Sequence, residues 1–151
     1  MLNSPSEMGH DEVDLVGTWK LVSAWSTRQN VERVPLYGEH PIGFLTYTKE
    51  GRMIAIICDS ERPRLTSEDD LSVSDAERAA AYSSFGAYAG TFRIEGDAVI
   101  HHVEISSLQN WVGTDQVRRM RLEGDRLTLW PPSSVLGGEL RGYELVWERI
   151  K

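Results

Sequence analysis

Leu15-Val16-Gly17-Thr18-Trp19-Lys20-Leu21-Val22-Ser23-Ala24-Trp25-Ser26 is the stretch whose reading decides the fold. Successive side chains of a strand point to opposite faces. One face then carries Leu15, Gly17, Trp19, Leu21, Ser23 and Trp25, and the other Val16, Thr18, Lys20, Val22, Ala24 and Ser26. A strand face with two tryptophans needs a deep interior to enter. Gly17 is expected to let another backbone come close, a common use of glycine in strands.

Outward from this strand, the chain reads as a series of short strands joined by turns. Thr27 to Pro41 is a polar loop broken by Pro35, Gly38 and Pro41. Gly43 to Thr48 and Arg52 to Cys58 form a hairpin across Lys49-Glu50-Gly51. The second of these strands is apolar on both faces, so periodicity leaves its inward face open. A helix or a partner subunit is expected to cover its outside. Ser74-Asp75-Ala76-Glu77 has the capping-box pattern, and Ala76 to Phe85 reads as a helix ended by Gly86. Tyr88 to Ile94, Ala98 to Ser106, Gln116 to Leu122, Arg126 to Trp130 and Leu140 to Ile150 complete a meander. Gln109 to Asp115 and Ser133 to Gly138 read as loops. Eight sequential strands imply an all-β, eight-stranded antiparallel up-and-down barrel with one helix inserted mid-chain. The expected organisation is a disordered tail over residues 1–14 and one barrel domain over 15–151.

Bulk properties narrow the function classes. The chain has 151 residues, 40% hydrophobic and 26% charged, which suits one ordinary globule with a core of its own. A net charge of −7 argues against nucleic acid or an anionic membrane as main partner. The single cysteine, Cys58, allows no internal disulfide and has no basic neighbours to activate it. Residues 1–14 hold four acidic residues and no apolar leader, and no run is long enough to span a membrane. These features predict a cytoplasmic protein.

Several motifs in order resemble one family. They are Gly-Thr-Trp-x-Leu-Val-Ser over Gly17 to Ser23, Gly-x-Leu-x-Tyr-Thr-x-x-Gly-Arg-Met over Gly43 to Met53, and Tyr-x-Gly-Thr-Phe over Tyr88 to Phe92. His101 to Glu104, Trp111 to Thr114 and Gly124 to Leu129 continue the series. Together they resemble the bacterial and fungal lipocalin-like domain proteins over Val16 to Ile150. The wider lipocalin pattern implies that Trp19 closes the barrel floor beneath a basic residue of the last strand, here Arg149. Two departures from secreted lipocalins stand out. The helix lies mid-chain, and neither signal peptide nor disulfide is evident. The resemblance implies a fold and a cavity, and no single shared activity.

Alternation supplies a lining for that cavity. Val99, His101, Val103 and Ile105 form the apolar face of their strand, with His102 and Glu104 outside. Met120 and Leu122 draw Gln116 and Arg118 inward. Tyr88, Phe92, Ile94, Tyr143, Leu145 and Trp147 also face in. The expected ligand contacts are Ser23, Trp25, Tyr47, Tyr88, Phe92, His101, Gln116, Arg118, Met120 and Tyr143, an apolar pocket with few polar groups. Each polar member has a structural reading beside the functional one. His101 is either a hydrogen-bonded core histidine or a group that contacts ligand or moves a proton. Arg118 requires a partner, either an acidic protein group or an anionic ligand atom. His101 and His102 point oppositely and cannot share a metal, so no metal site and no cofactor are expected.

The leading functional expectation is a barrel that binds a small, largely hydrophobic molecule. The alternative is a cofactor-free isomerase or cyclase acting on a polyketide- or terpenoid-like substrate. In that case His101 moves the proton, and Arg118 and Tyr88 stabilise an oxyanion. A homodimer through the apolar outer strand is a third expectation.

Overall fold

The computed structural model describes residues 10–28 and 32–151. Ten strands form one antiparallel sheet that closes on itself. They are β1 (Gly17–Arg28), β2 (Glu32–Pro35), β3 (Pro41–Tyr47), β4 (Arg52–Asp59), β5 (Phe85–Glu95), β6 (Ala98–Ser106), β7 (Asp115–Glu123), β8 (Arg126–Trp130), β9 (Ser134–Leu136) and β10 (Glu139–Arg149). The barrel runs β1-β3-β4-β5-β6-β7-β8-β10 and closes by pairing β10 with β1. The eight expected strands are these eight. β2 and β9 are short additions on the outer edges of β1 and β10, in segments that composition alone reads as loops. Closure leaves no long unpaired edge among the eight.

The floor is built from both chain ends. Trp19 is fully buried, and the Arg149 guanidinium lies 4.2 Å from its ring centroid. Arg149 also donates to the carbonyls of Val16 and Asp14 at 2.7 Å each. Helix α1 (Glu12–Leu15) folds under the barrel, buries Leu15 and accepts the Trp19 indole N–H on the Leu15 carbonyl. Leu15 therefore belongs to this helical turn and not to the first strand. Of the tail expected over residues 1–14, residues 1–9 lie outside the described residues, and Glu12 to Asp14 belong to α1. Gly17 serves differently from the expected backbone approach. Its φ is 138°, and a Cβ there would press on the Arg149 guanidinium at 3.0 Å.

Two bulges reset the alternation. Between Leu21 and Ser23 the β1–β10 register shifts by one residue. Trp19 and Leu21 point in before it, and Ala24 and Ser26 after it. Ser23 and Trp25 consequently turn away from the interior, and Trp25 lies beneath the Arg33 guanidinium at 4.5 Å. The second shift separates Ala89 and Gly90 of β5, opposite Glu104 of β6. It turns Ile105 outward, where it is 67% exposed, and Ser106 inward. A bulge inserts one residue into one strand, so every later side chain changes face. Gly90 makes the second bulge feasible, because a Cβ there would fall on the His102 carbonyl oxygen.

On β4, Met53, Ala55 and Ile57 point in and Ile54 and Ile56 point out. The expected helical cover is absent: Ile54 stays 56% exposed and Ile56 37%. Trp130 is half-buried outside, beneath Arg119 and Arg121. Helix α2 (Asp75–Ser83) is capped by Ser74, whose hydroxyl accepts from the Glu77 N–H at 3.2 Å. The Glu77 carboxylate accepts from Thr66 instead of closing the expected box. The helix stops at Ser83, and Phe85-Gly86 already belongs to β5. Gly86 is a close-approach site, since a Cβ there would collide with the Tyr37 hydroxyl.

Candidate functional site

The end of the barrel opposite the Trp19 floor holds a cavity of about 550 Å³. That is within the usual range for small-molecule sites. Leu45, Ala55, Leu129, Leu145 and Trp147 form its apolar walls. The mouth is framed by Leu36 and Tyr37 on one side and by residues 131–136 on the other. Trp111, in the 3-10 turn Gln109–Trp111, also reaches the lining.

Its polar groups converge at one place. His101 is fully buried, and both ring nitrogens are occupied. The Tyr47 hydroxyl is 2.7 Å from Nε2 and the Tyr88 hydroxyl 2.6 Å from Nδ1. A neutral imidazole donates from one nitrogen and accepts at the other. One tyrosine therefore donates to His101, and the other accepts from it and keeps its own hydroxyl proton free for a different acceptor. Burial and, second, the Arg118 guanidinium push the His101 pKa down to about 3. Burial pushes both tyrosine hydroxyls up, well up for Tyr47, while Arg118 opposes the rise at each. At neutral pH the triad is thus uncharged.

Arg118 carries the charge. It pairs across from Val99 on β6, is 7% exposed, and lines the cavity. It donates to the Val117 carbonyl at 3.3 Å, and its guanidinium lies 5.5 Å from the Trp111 ring centroid. Trp111 in turn meets Tyr88 edge-on at 5.3 Å. No carboxylate lies within ion-pairing distance of Arg118 among the described residues, and no aspartate or glutamate lines the cavity.

Of the residues expected to contact ligand, Tyr88, His101, Gln116, Arg118 and Tyr143 line the cavity. Gln116 donates to the Thr114 hydroxyl at 2.9 Å, and the Tyr143 hydroxyl meets that of Ser134 at 3.0 Å. Tyr47, Phe92 and Met120 are buried in the core behind the cavity wall, and Tyr47 acts there through His101. Ser23 and Trp25 are off the lining because the β1 bulge turned them. Tyr37, Ser106, Trp111 and residues 131–136 were not legible as lining. Tyr37 and residues 131–136 lie in connections whose path only the folded chain specifies, and Ser106 owes its place to the β6 bulge. Trp111 offered one signal, a large aromatic residue isolated in a polar loop. Among the described residues no group of histidine, cysteine and acidic side chains is arranged to hold a metal. Among the described residues no helix is long and apolar enough to cross a membrane.

A family model described as a lipocalin-like domain matches residues 16–150. A curated protein of Aspergillus oryzae, named 4'-hydroxy-3'-methoxypropiophenone carrier protein ppsC, is 36% identical over 98 residues. That similarity covers 58% of this chain and 87% of the relative. No solved structure matches the chain significantly.

Proposed function

The chain belongs to the lipocalin-like domain family, and from that premise we propose that its barrel binds a small, largely hydrophobic, aromatic molecule. The observation that carries this reading is the juxtaposition inside one cavity of apolar walls with a single polar focus, Tyr88, His101 and Arg118. Apolar walls supply the driving force on burial. The few convergent polar groups set orientation. The similarity to a protein named as a carrier of an aryl ketone agrees with a ligand of this kind. An aryl ketone would lay its ring against Trp111 and Leu129 and present its oxygen to Arg118 and the Tyr88 hydroxyl.

Binding is favoured over isomerase or cyclase chemistry by the state of His101. Both its nitrogens are held by tyrosine hydroxyls, so the imidazole has no free position facing a substrate. The test is titration of purified protein with 4'-hydroxy-3'-methoxypropiophenone, following quenching of tryptophan fluorescence, beside native mass spectrometry for a co-purified molecule. Saturable one-to-one quenching that is lost in an Ala55→Trp variant, which fills the cavity, is the expected result. Unchanged fluorescence together with an empty native mass would overturn the reading.

A further inference from the structure

Among the described residues, Arg118 is the one formal charge on the cavity lining, and no carboxylate lines the cavity beside it. Arg118 is more than nine-tenths buried, and among the described residues its polar contacts are neutral: a long bond to the neighbouring Val117 carbonyl and the adjacent Tyr88 hydroxyl. A buried guanidinium with most of its five donors unmet is costly unless something pairs it. The Trp111 face offsets part of that cost. The groups facing Arg118 cannot supply a negative charge near neutral pH. From β5 comes Tyr88, from β6 His101, from β7 Gln116, from β10 Tyr143, and from behind His101 comes Tyr47. None is a carboxylate, and the Tyr88 and Tyr47 hydroxyls are held further from ionisation by burial. A protein with net charge −7 therefore keeps an isolated positive centre at its ligand cavity.

We propose that this site takes its ligand as a monoanion, specifically a conjugated oxyanion such as a phenolate or enolate. This rests on the small-molecule reading above and names the ligand's charge state. The oxyanion accepts from Arg118, and the Tyr88 hydroxyl is the second donor. Conjugation is required because the oxygen must reach Arg118 beneath Trp111 and beside Tyr88, whose rings meet edge-on and favour a flat partner. A charge-assisted hydrogen bond in a cavity walled from water is stronger than its neutral counterpart. The ionised form is consequently favoured over the protonated one, and the site lowers the pKa of any phenol it binds.

The probe is 4-nitrophenol, whose phenol and phenolate absorb at different wavelengths and whose ionisation falls near neutral pH. Its uncharged counterpart is 4-nitroanisole. Absorbance of bound 4-nitrophenol is titrated against pH, and 4-nitroanisole binding is followed by tryptophan quenching. The expected result is at least about tenfold tighter binding of the phenolate than of the phenol, read as a downward shift in the bound probe's titration. Arg118→Met should abolish that preference, so that phenol and phenolate bind alike, and Arg118→Lys should restore part of it. If 4-nitroanisole binds and 4-nitrophenol shows no preference for the phenolate, the anion proposal is overturned and the small-molecule reading stands. If R118M keeps the full preference, the assignment to Arg118 is overturned. If neither probe binds, both readings are overturned.

Discussion

The Arg149 guanidinium lies 4.2 Å from the centroid of the Trp19 indole and joins the last strand to the first at the barrel floor. Around this pair gather Leu15, which accepts the indole N–H, and Asp125, 3.3 Å from the Arg149 Nε. The indole is fully buried at the base of the barrel. Trp19→Ala should cost about 3–5 kcal/mol, the range for truncating a buried aromatic residue. Urea unfolding measures it, and a loss below about 1 kcal/mol would contradict Trp19 as the floor.

Gly90 should tolerate nothing larger than hydrogen. A Cβ there would overlap the His102 carbonyl oxygen and crowd the Glu104 N–H at 3.1 Å, both backbone atoms that cannot swing aside. Gly90→Ala is expected to lose about 3 kcal/mol or more, at the upper end of overpacking costs. Gly96→Ala is the control. It sits in a turn with φ 61° and open space around it, and should cost only about 1 kcal/mol. Comparable melting shifts for the two variants would show that the β6 bulge does not depend on Gly90.

His101 gives stability a pH dependence with a definite sign. The unfolded chain takes up this proton near the ordinary histidine value of 6.5, and the folded chain only near 3. The unfolded state therefore binds more protons between those limits. The contribution of neutral His101 is fully present above about pH 6.5 and is lost as pH falls toward about 3. By pH 5 the loss should be about 2 kcal/mol. Carboxylates held low by ion pairs, such as Asp115 and Asp125, add their own losses mainly below this window. Comparing wild type with His101→Gln between pH 7 and pH 5 isolates the histidine. Parallel curves would mean that His101 protonates normally.

Ser26 should be replaceable at no cost. It is fully buried after the β1 bulge, and its hydroxyl has no hydrogen-bond partner among the described residues. An unpaired buried hydroxyl is unfavourable by about 1–3 kcal/mol, so Ser26→Ala should leave stability unchanged or raise it by about 1 kcal/mol. A clear loss in denaturant melts would reveal a partner for the hydroxyl.

The barrel was legible because its signals are local. Alternation, the turns Lys49-Glu50-Gly51, Glu95-Gly96-Asp97 and Glu123-Gly124-Asp125, and the breakers Pro131-Pro132 mark strands within a few residues of chain. The inward set of β7, with Arg118 beside Met120, follows from alternation without interruption. Trp19 and Arg149 could be paired because the resemblance to lipocalins links the first strand to the last.

What only the tertiary structure decided is where alternation breaks and what the loops do. Which residue is left over at a bulge depends on the partner strand's register, and no local pattern in Leu21 to Ser26 or Val103 to Ser106 encodes it. One extra residue moved Ser23, Trp25 and Ile105 out and Ser26 and Ser106 in. The inward face of β4 was decided by pairing with β3 and β5, since Met53 and Ile54 are equally apolar. The cavity mouth is formed by Tyr37, Trp111 and residues 131–136, brought together from three distant connections. The sequence by itself determined the eight barrel strands and the inward polar side chains Tyr88, His101 and Arg118. That Tyr88 and Tyr47 hold His101 from both sides, leaving Arg118 as the one charge on the cavity wall among the described residues, is a consequence of barrel closure, which brings β3, β5, β6 and β7 round a common interior.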